Sequence, residues 1–136
     1  MSKPIIIGSD GFPKEAAIVR GDLTDNGTLV TSPSTGATVA LDRNTYKNAI
    51  VTVPDGATLT FTIANMVVGD TYRVDLKYSG TSAITINWFA TLVWRNSSGT
   101  TAPTYTKVNG KIDSFVFTCE STGNYLVDYV LSNGTL

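Results

Sequence analysis

The chain has 136 residues, ten of them basic and eleven acidic, for a formal net charge of −1 at pH 7. Only 15% of the residues are charged, histidine is absent and Cys119 is the single cysteine. That excludes the clustered Lys and Arg of a nucleic-acid footprint, Ser-His-Asp and Cys-His catalysis, the usual zinc sites and an intrachain disulfide. The length suits one domain that is held by packing rather than by crosslinks.

The first 36 residues carry three of the five prolines, many glycines and no sustained alternation. Residues 1–36 therefore read as an extended N-terminal arm and linker. The apolar run Ile5–Ile7 is cut off by Gly8, Ser9 and Asp10, which argues against a signal peptide. No segment approaches the roughly 18 apolar residues of a membrane span. We expect synthesis in a cytosol-like compartment and no membrane partner. Pro13–Arg20 would make two helical turns at most. Pro4, Ile5, Ile6, Ile7, Phe12, Ile18 and Val19 are apolar residues that an arm cannot bury by itself. Either they pack along the following domain or another chain buries them, which makes them the candidate anchoring surface. Arg20-Gly21-Asp22 reads as a turn rather than as an integrin motif.

Residues 37–136 read as a β-domain. Leu59, Phe61 and Ile63 alternate with threonines, and Tyr72, Val74, Leu76 and Tyr78 alternate with Arg73, Asp75 and Lys77. Ile84, Ile86 and Trp88 share a face, and DSFVFTCE (113–120) and NYLVDYVL (124–131) continue the rhythm. Turn signals at Pro54–Gly56, Gly69-Asp70, Ser79–Ser82, Asn109–Lys111 and Ser121–Asn124 separate these runs. Strands at a spacing of roughly 8–12 residues predict an all-β fold, an antiparallel, jelly-roll-like β-sandwich carrying the N-terminal arm. No internal repeat stands out.

Candidate chemistry is sparse. The acidic residues are scattered, mostly in turns or on the polar faces of strands, with no evident pair for glycosidase work and no calcium-loop spacing. Asp128, set in an apolar run, is the exception: a buried, hydrogen-bonded acid or one facing a partner. Sequons at Asn26, Asn96 and Asn133 read as turn residues. Cys119, in step with Phe115 and Phe117, reads as a small buried hydrophobe. We expect no catalytic residue, no metal and no cofactor, hence no enzyme. Most aromatic residues read as core. LVWRNSSGTTAPTYT (92–106) has two readings: a sugar-binding loop built from Trp94, Arg95, Asn96 and Tyr105, or a crossover between strands. In the second, Trp94 ends one strand, Asn96–Gly99 turn the chain and Pro103 sets the return.

The succession GATLTFTI, NMVVGDTY, RVDLKYSGTSAITI, LVWRNSSGTTAPTYT, NGKIDSFVFTC and GNYLVDYV resembles a β-sandwich module of bacteriophage fibre proteins over about two-thirds of the chain. The resemblance implies a non-enzymatic virion protein, made in the host bacterial cytoplasm and usually homotrimeric. Its N-terminal segment would attach to the capsid or another virion protein and its C-terminal β-domain would be exposed. A typical tail fibre is far longer and has a shaft, so the resemblance favours a short head-fibre or capsid-decoration protein. The alternative is a tail-fibre or baseplate receptor-binding module that recognises a bacterial surface glycan.

Overall fold

The computed structural model describes residues 27–89, 91–95 and 104–135. The candidate anchoring residues Pro4, Ile5, Ile6, Ile7, Phe12, Ile18 and Val19 lie outside the described residues, as do the short helix expected at Pro13–Arg20 and Asn96.

The described residues are all-β, with no helix among them. Nine strands follow in order: β1 (Thr28–Thr31), β2 (Thr38–Asp42), β3 (Asn48–Val53), β4 (Thr58–Ala64), β5 (Thr71–Tyr78), β6 (Thr85–Asn87), β7 (Thr91–Trp94), β8 (Ile112–Ser121) and β9 (Asn124–Gly134). They form a six-stranded sheet, in the order β1-β3-β5-β8-β9-β7, and a three-stranded sheet, β2-β4-β6. From β1 to β6 the chain alternates between the sheets, so three successive strand pairs stack as coils. β1, β3 and β5 are parallel neighbours in one sheet and β2, β4 and β6 in the other.

This corrects the expectation of an antiparallel architecture. Among the described residues only β5–β8 and β8–β9 pair antiparallel, while β7 joins β9 in parallel. A parallel pair needs a crossover between its strands, and from β1 to β6 a strand of the opposite sheet serves as that crossover. Sequence-adjacent strands in that stretch therefore lie in different sheets, whereas β8 and β9 form an antiparallel hairpin. β1, at Thr28–Thr31, lies within the residues 1–36 read as arm and linker and pairs with β3.

Side-chain alternation explains why each strand lies as it does. Tyr72, Val74, Leu76 and Tyr78 of β5 are at most 2% exposed and share one cluster with Val51 and Val53 of β3, Leu59 and Phe61 of β4, and Phe115 and Phe117 of β8. Turns at the coil corners interlock. Asp55 accepts hydrogen bonds from the Ser82 amide (2.9 Å) and hydroxyl (3.2 Å) in the next coil. Gly80 lies directly beneath Asp55, and a Cβ there would sit 2.1 Å from Asp55 Oδ1. At the opposite corner, Asn65 Nδ2 donates to Asp42 Oδ1 at 2.7 Å.

Candidate functional site

The sequence directs attention first to Trp94, Arg95, Asn96 and Tyr105. Trp94 ends β7, as the crossover reading has it, but its ring is 3% exposed and sits edge-on to Phe115 and Trp88, with centroids 5.8 and 6.3 Å away. Tyr105 Oη accepts from Trp88 Nε1 at 2.9 Å, and burial raises its pKa. Arg95 is on the opposite face of the sheet, where its Nε and Nη2 donate to Asp128 at 2.9 and 2.7 Å. Trp94, the last residue of β7, and Arg95, just beyond it, thus point to opposite sides. The structure does not assemble them into one stacking platform, because Trp94 has no free face to offer a sugar.

Asp128 is neither buried alone nor idle. Its hydrogen bonds with Arg95 hold its carboxyl below the usual range, and the same pairing raises the pKa of Arg95. The buried acid is Asp113, whose exposure is 0%. It accepts from Tyr78 Oη (2.6 Å), the Thr106 amide (2.7 Å), the Asn133 amide (3.1 Å) and the Thr106 hydroxyl. Burial alone would raise its pKa, but these donors outweigh it and leave the carboxyl below its ordinary value. Tyr78 is pushed far in the other direction, first by burial and then by the Asp113 carboxylate. The arrangement ties β5, β8, β9 and the segment before β8 together. Four donors converge on Asp113, which has no exposure to solvent, so the carboxylate serves to hold these segments together. Asp75 is held similarly by Ser114 Oγ and by Arg73.

One cleft of about 520 Å³ opens beside these elements, lined by Phe61, Ile63, Asn65, Met66, Phe89 and Tyr125 together with Thr62, Thr122 and Gly123. The end of β4 forms one wall and the β8–β9 turn the other. Asn65 turns the chain there with φ of 63° and is fixed through Asp42, which itself accepts from the Asn44 amide at 2.9 Å. These two bonds, the Asn65 amide's first, hold the Asp42 carboxyl below its usual range. The floor is apolar and the polar groups sit around it, which suits binding. No carboxylate lines the cleft, and its one ionisable group, Tyr125, is pushed upward by burial. Among the described residues no three acidic or cysteine side chains cluster as metal ligands. Sequence reasoning passed over Asn65, Met66 and Thr122. The only available signal was Asn65 at a strand end ahead of Gly69-Asp70, which marks a turn and not a ligand.

Comparison with family models, with curated proteins and with solved structures returns no match.

Proposed function

We propose that the chain is a non-enzymatic bacteriophage virion protein, a short head-fibre or capsid-decoration subunit that assembles as a homotrimer and is mounted through its N-terminal segment. The sandwich-like pairing of two sheets suits that role, as does the resemblance of the chain from Thr38 to the C-terminus to a fibre module. The observation that carries the reading is the outer face of the six-stranded sheet. Val30, Val93 and Val130 are 69%, 43% and 55% exposed there, beside the partly buried Ile50, Val116 and Leu126 and the Arg73–Asp75 and Arg95–Asp128 ion pairs. Aliphatic side chains spread over a sheet face favour burial against another copy. Threefold assembly would then multiply weak contacts of the N-terminal segments with the particle.

Native mass measurement at micromolar concentration tests this. A trimer is expected, and Val130→Glu should reduce it to monomers while leaving the far-ultraviolet circular dichroism unchanged. A wild-type protein that stays monomeric at all concentrations would sink the reading.

A second reading, recognition of a bacterial surface glycan, is favoured by the 520 Å³ cleft rather than by Trp94. Asn65, Thr62 and Thr122 would supply the polar contacts and Phe89 and Tyr125 the apolar ones. Binding to a glycan array that is abolished by Thr122→Trp, on the exposed β8–β9 turn that walls the cleft, is the expected result. Binding unaffected by that substitution would remove the cleft from consideration.

A further inference from the structure

The cleft between the end of β4 and the β8–β9 turn holds two polar groups that the fold does not use. The first is the hydroxyl of Tyr125. Tyr78, Tyr105 and Tyr129 each commit their hydroxyl to a neighbour, respectively Asp113, Trp88 and Ser132. Tyr125 is more than nine-tenths buried and stands edge-on to Phe89, yet its hydroxyl has no partner among the described residues. Of the buried side-chain groups described, the Tyr72 hydroxyl is the one that is both unpartnered and enclosed. Tyr125 Oη therefore meets solvent, and it does so in the cleft that Tyr125 lines.

The second group is on the other wall. Asn65 Nδ2 donates to Asp42 Oδ1 at 2.7 Å. A carboxylate only accepts, so this bond decides which end of the amide faces Asp42. It leaves Asn65 Oδ1, to which no described residue donates, as a fixed acceptor.

The floor restricts what can lie between these two groups. Phe61, Phe89 and Tyr125 are at most 8% exposed, so none turns a whole ring face outward for a sugar ring to stack on. Ile63 and Met66, both partly buried, complete an apolar floor. Such a floor seats a small apolar group rather than a flat ring. No charged side chain lines the cleft, so a charged ligand would lose water there without gaining a counter-ion.

We propose that the cleft is selective for a neutral N-acetylated hexosamine, an inference that rests on the glycan reading above. The acetamido methyl sits on the apolar floor, its N–H donates to Asn65 Oδ1 and its carbonyl accepts from Tyr125 Oη. A hydroxyl in the same place brings no methyl and cannot engage both walls, so a plain hexose leaves a polar group unpaired. Thr122, exposed on the turn, meets the hydroxyls of the sugar.

Chitotriose and cellotriose test this selectivity, because their rings differ only in carrying an acetamido or a hydroxyl group at the second carbon. In calorimetric titration of the full-length protein, chitotriose should bind at least about tenfold more tightly. Tyr125→Phe should weaken chitotriose about tenfold and leave the urea unfolding transition in place, because the lost hydroxyl bonds nothing within the protein. Thr122→Trp should abolish binding. Equal affinity for the two trisaccharides, lost in Thr122→Trp, would overturn the acetamido selectivity and keep the cleft as a glycan site. Chitotriose binding that survives both substitutions would overturn the placement in the cleft. No binding of chitotriose at millimolar concentration would overturn the inference outright, while the glycan array decides the broader reading separately.

Discussion

At the β5 end of the stack, Val74 and Leu76 are fully buried and β8 and β9 extend the sheet sideways. At the β1 end Leu29 is partly exposed, Val30 is 69% exposed, and no described strand lies beyond. The two end strands both carry aliphatic side chains, but TYRVDLKY alternates apolar with polar residues, whereas TLVT sets Leu29 and Val30 side by side between threonines. The number of neighbours differs as well. A β-strand gains its stability from side chains pressed against cross-strand partners and an opposing layer, more than from any intrinsic preference of its own residues. Inward aliphatic side chains are therefore buried where partners stand on both sides and only partly buried where they do not.

The sharpest test of that contrast is a truncation at each end. Trp88 is the hub of the buried end, stacked on Phe61 with centroids 4.8 Å apart and packed against Phe117 at 5.0 Å and Phe115 at 5.6 Å. Trp88→Ala should lower unfolding stability by about 3–5 kcal/mol, the range for large aromatic truncations in a core, as read by urea denaturation. Leu29→Ala at the half-buried end should cost only about 1 kcal/mol, below the usual range for a fully buried leucine. Equal costs at the two sites would show that the ends are equally sealed in solution.

Next in size is Asp113→Asn. The amide keeps the shape but cannot accept four donors as a carboxylate does, so a loss of about 2–3 kcal/mol is expected. Wild-type stability should also fall in acid. Asp113 has a depressed pKa in the folded protein, so the unfolded chain takes up the proton first as pH drops below about 4. The contribution is present above the unfolded value and is lost as pH falls through the folded one. Tyr78 has the opposite sign: its raised pKa means that stability declines as pH climbs above about 10, where the unfolded tyrosine ionises. Asp113→Asn should flatten the acid limb, and an unchanged acid limb would exclude this carboxylate as its source.

The coil corners supply a smaller effect. Gly80→Ala places a methyl group against the Asp55 carboxylate and should cost about 1–2 kcal/mol by breaking the Asp55–Ser82 bonds. Asp55→Ala should cost nearly as much, and in the double variant the two losses should be less than additive, because both remove one contact. Additive losses would mean that Gly80 matters for another reason.

Turns and buried faces were legible in the sequence, and strand direction was not. Pro54-Asp55-Gly56, Asn109-Gly110 and Thr122-Gly123 announced turns, and the glycines there do have φ of +68°, +80° and +80°. Leu59, Phe61, Tyr72, Val74, Phe115, Phe117 and Cys119 were assigned inward and are buried. Alternation, however, is the same for a parallel and an antiparallel strand with one covered face, and it does not say which strand is the neighbour. A clue to the stacking did exist: Gly36-Ala37-Thr38 and Gly56-Ala57-Thr58 each open a strand of the three-stranded sheet, twenty positions apart. Two short occurrences, followed by a third coil that drops the motif, are a weak periodic signal. For the candidate site, Trp94 beside polar residues looked accessible because sequence carries no depth. Asp113 did not stand out among the scattered acids because its donors, Tyr78 and Asn133, are distant in the chain.

The smallest predicted effect concerns a defect inside the well-packed region itself. Tyr72 is fully buried in β5, and its hydroxyl makes no hydrogen bond among the described residues. Burial first, and then the nearby Asp42 charge, push its pKa up to about 12. A buried hydroxyl without a partner costs about 1–3 kcal/mol in desolvation, partly offset by the packing of its ring. Tyr72→Phe removes the oxygen and keeps the ring, so stability should rise by up to about 1 kcal/mol. Leu29→Ala and Tyr72→Phe then change stability in opposite directions, the first loosening an end already half open and the second relieving a group that the closed end traps. A clear loss in Tyr72→Phe, read by the same denaturation, would mean that the hydroxyl has a partner after all. That partner would have to come from water or from residues beyond those described, which would make the sealed end less dry than its side chains imply.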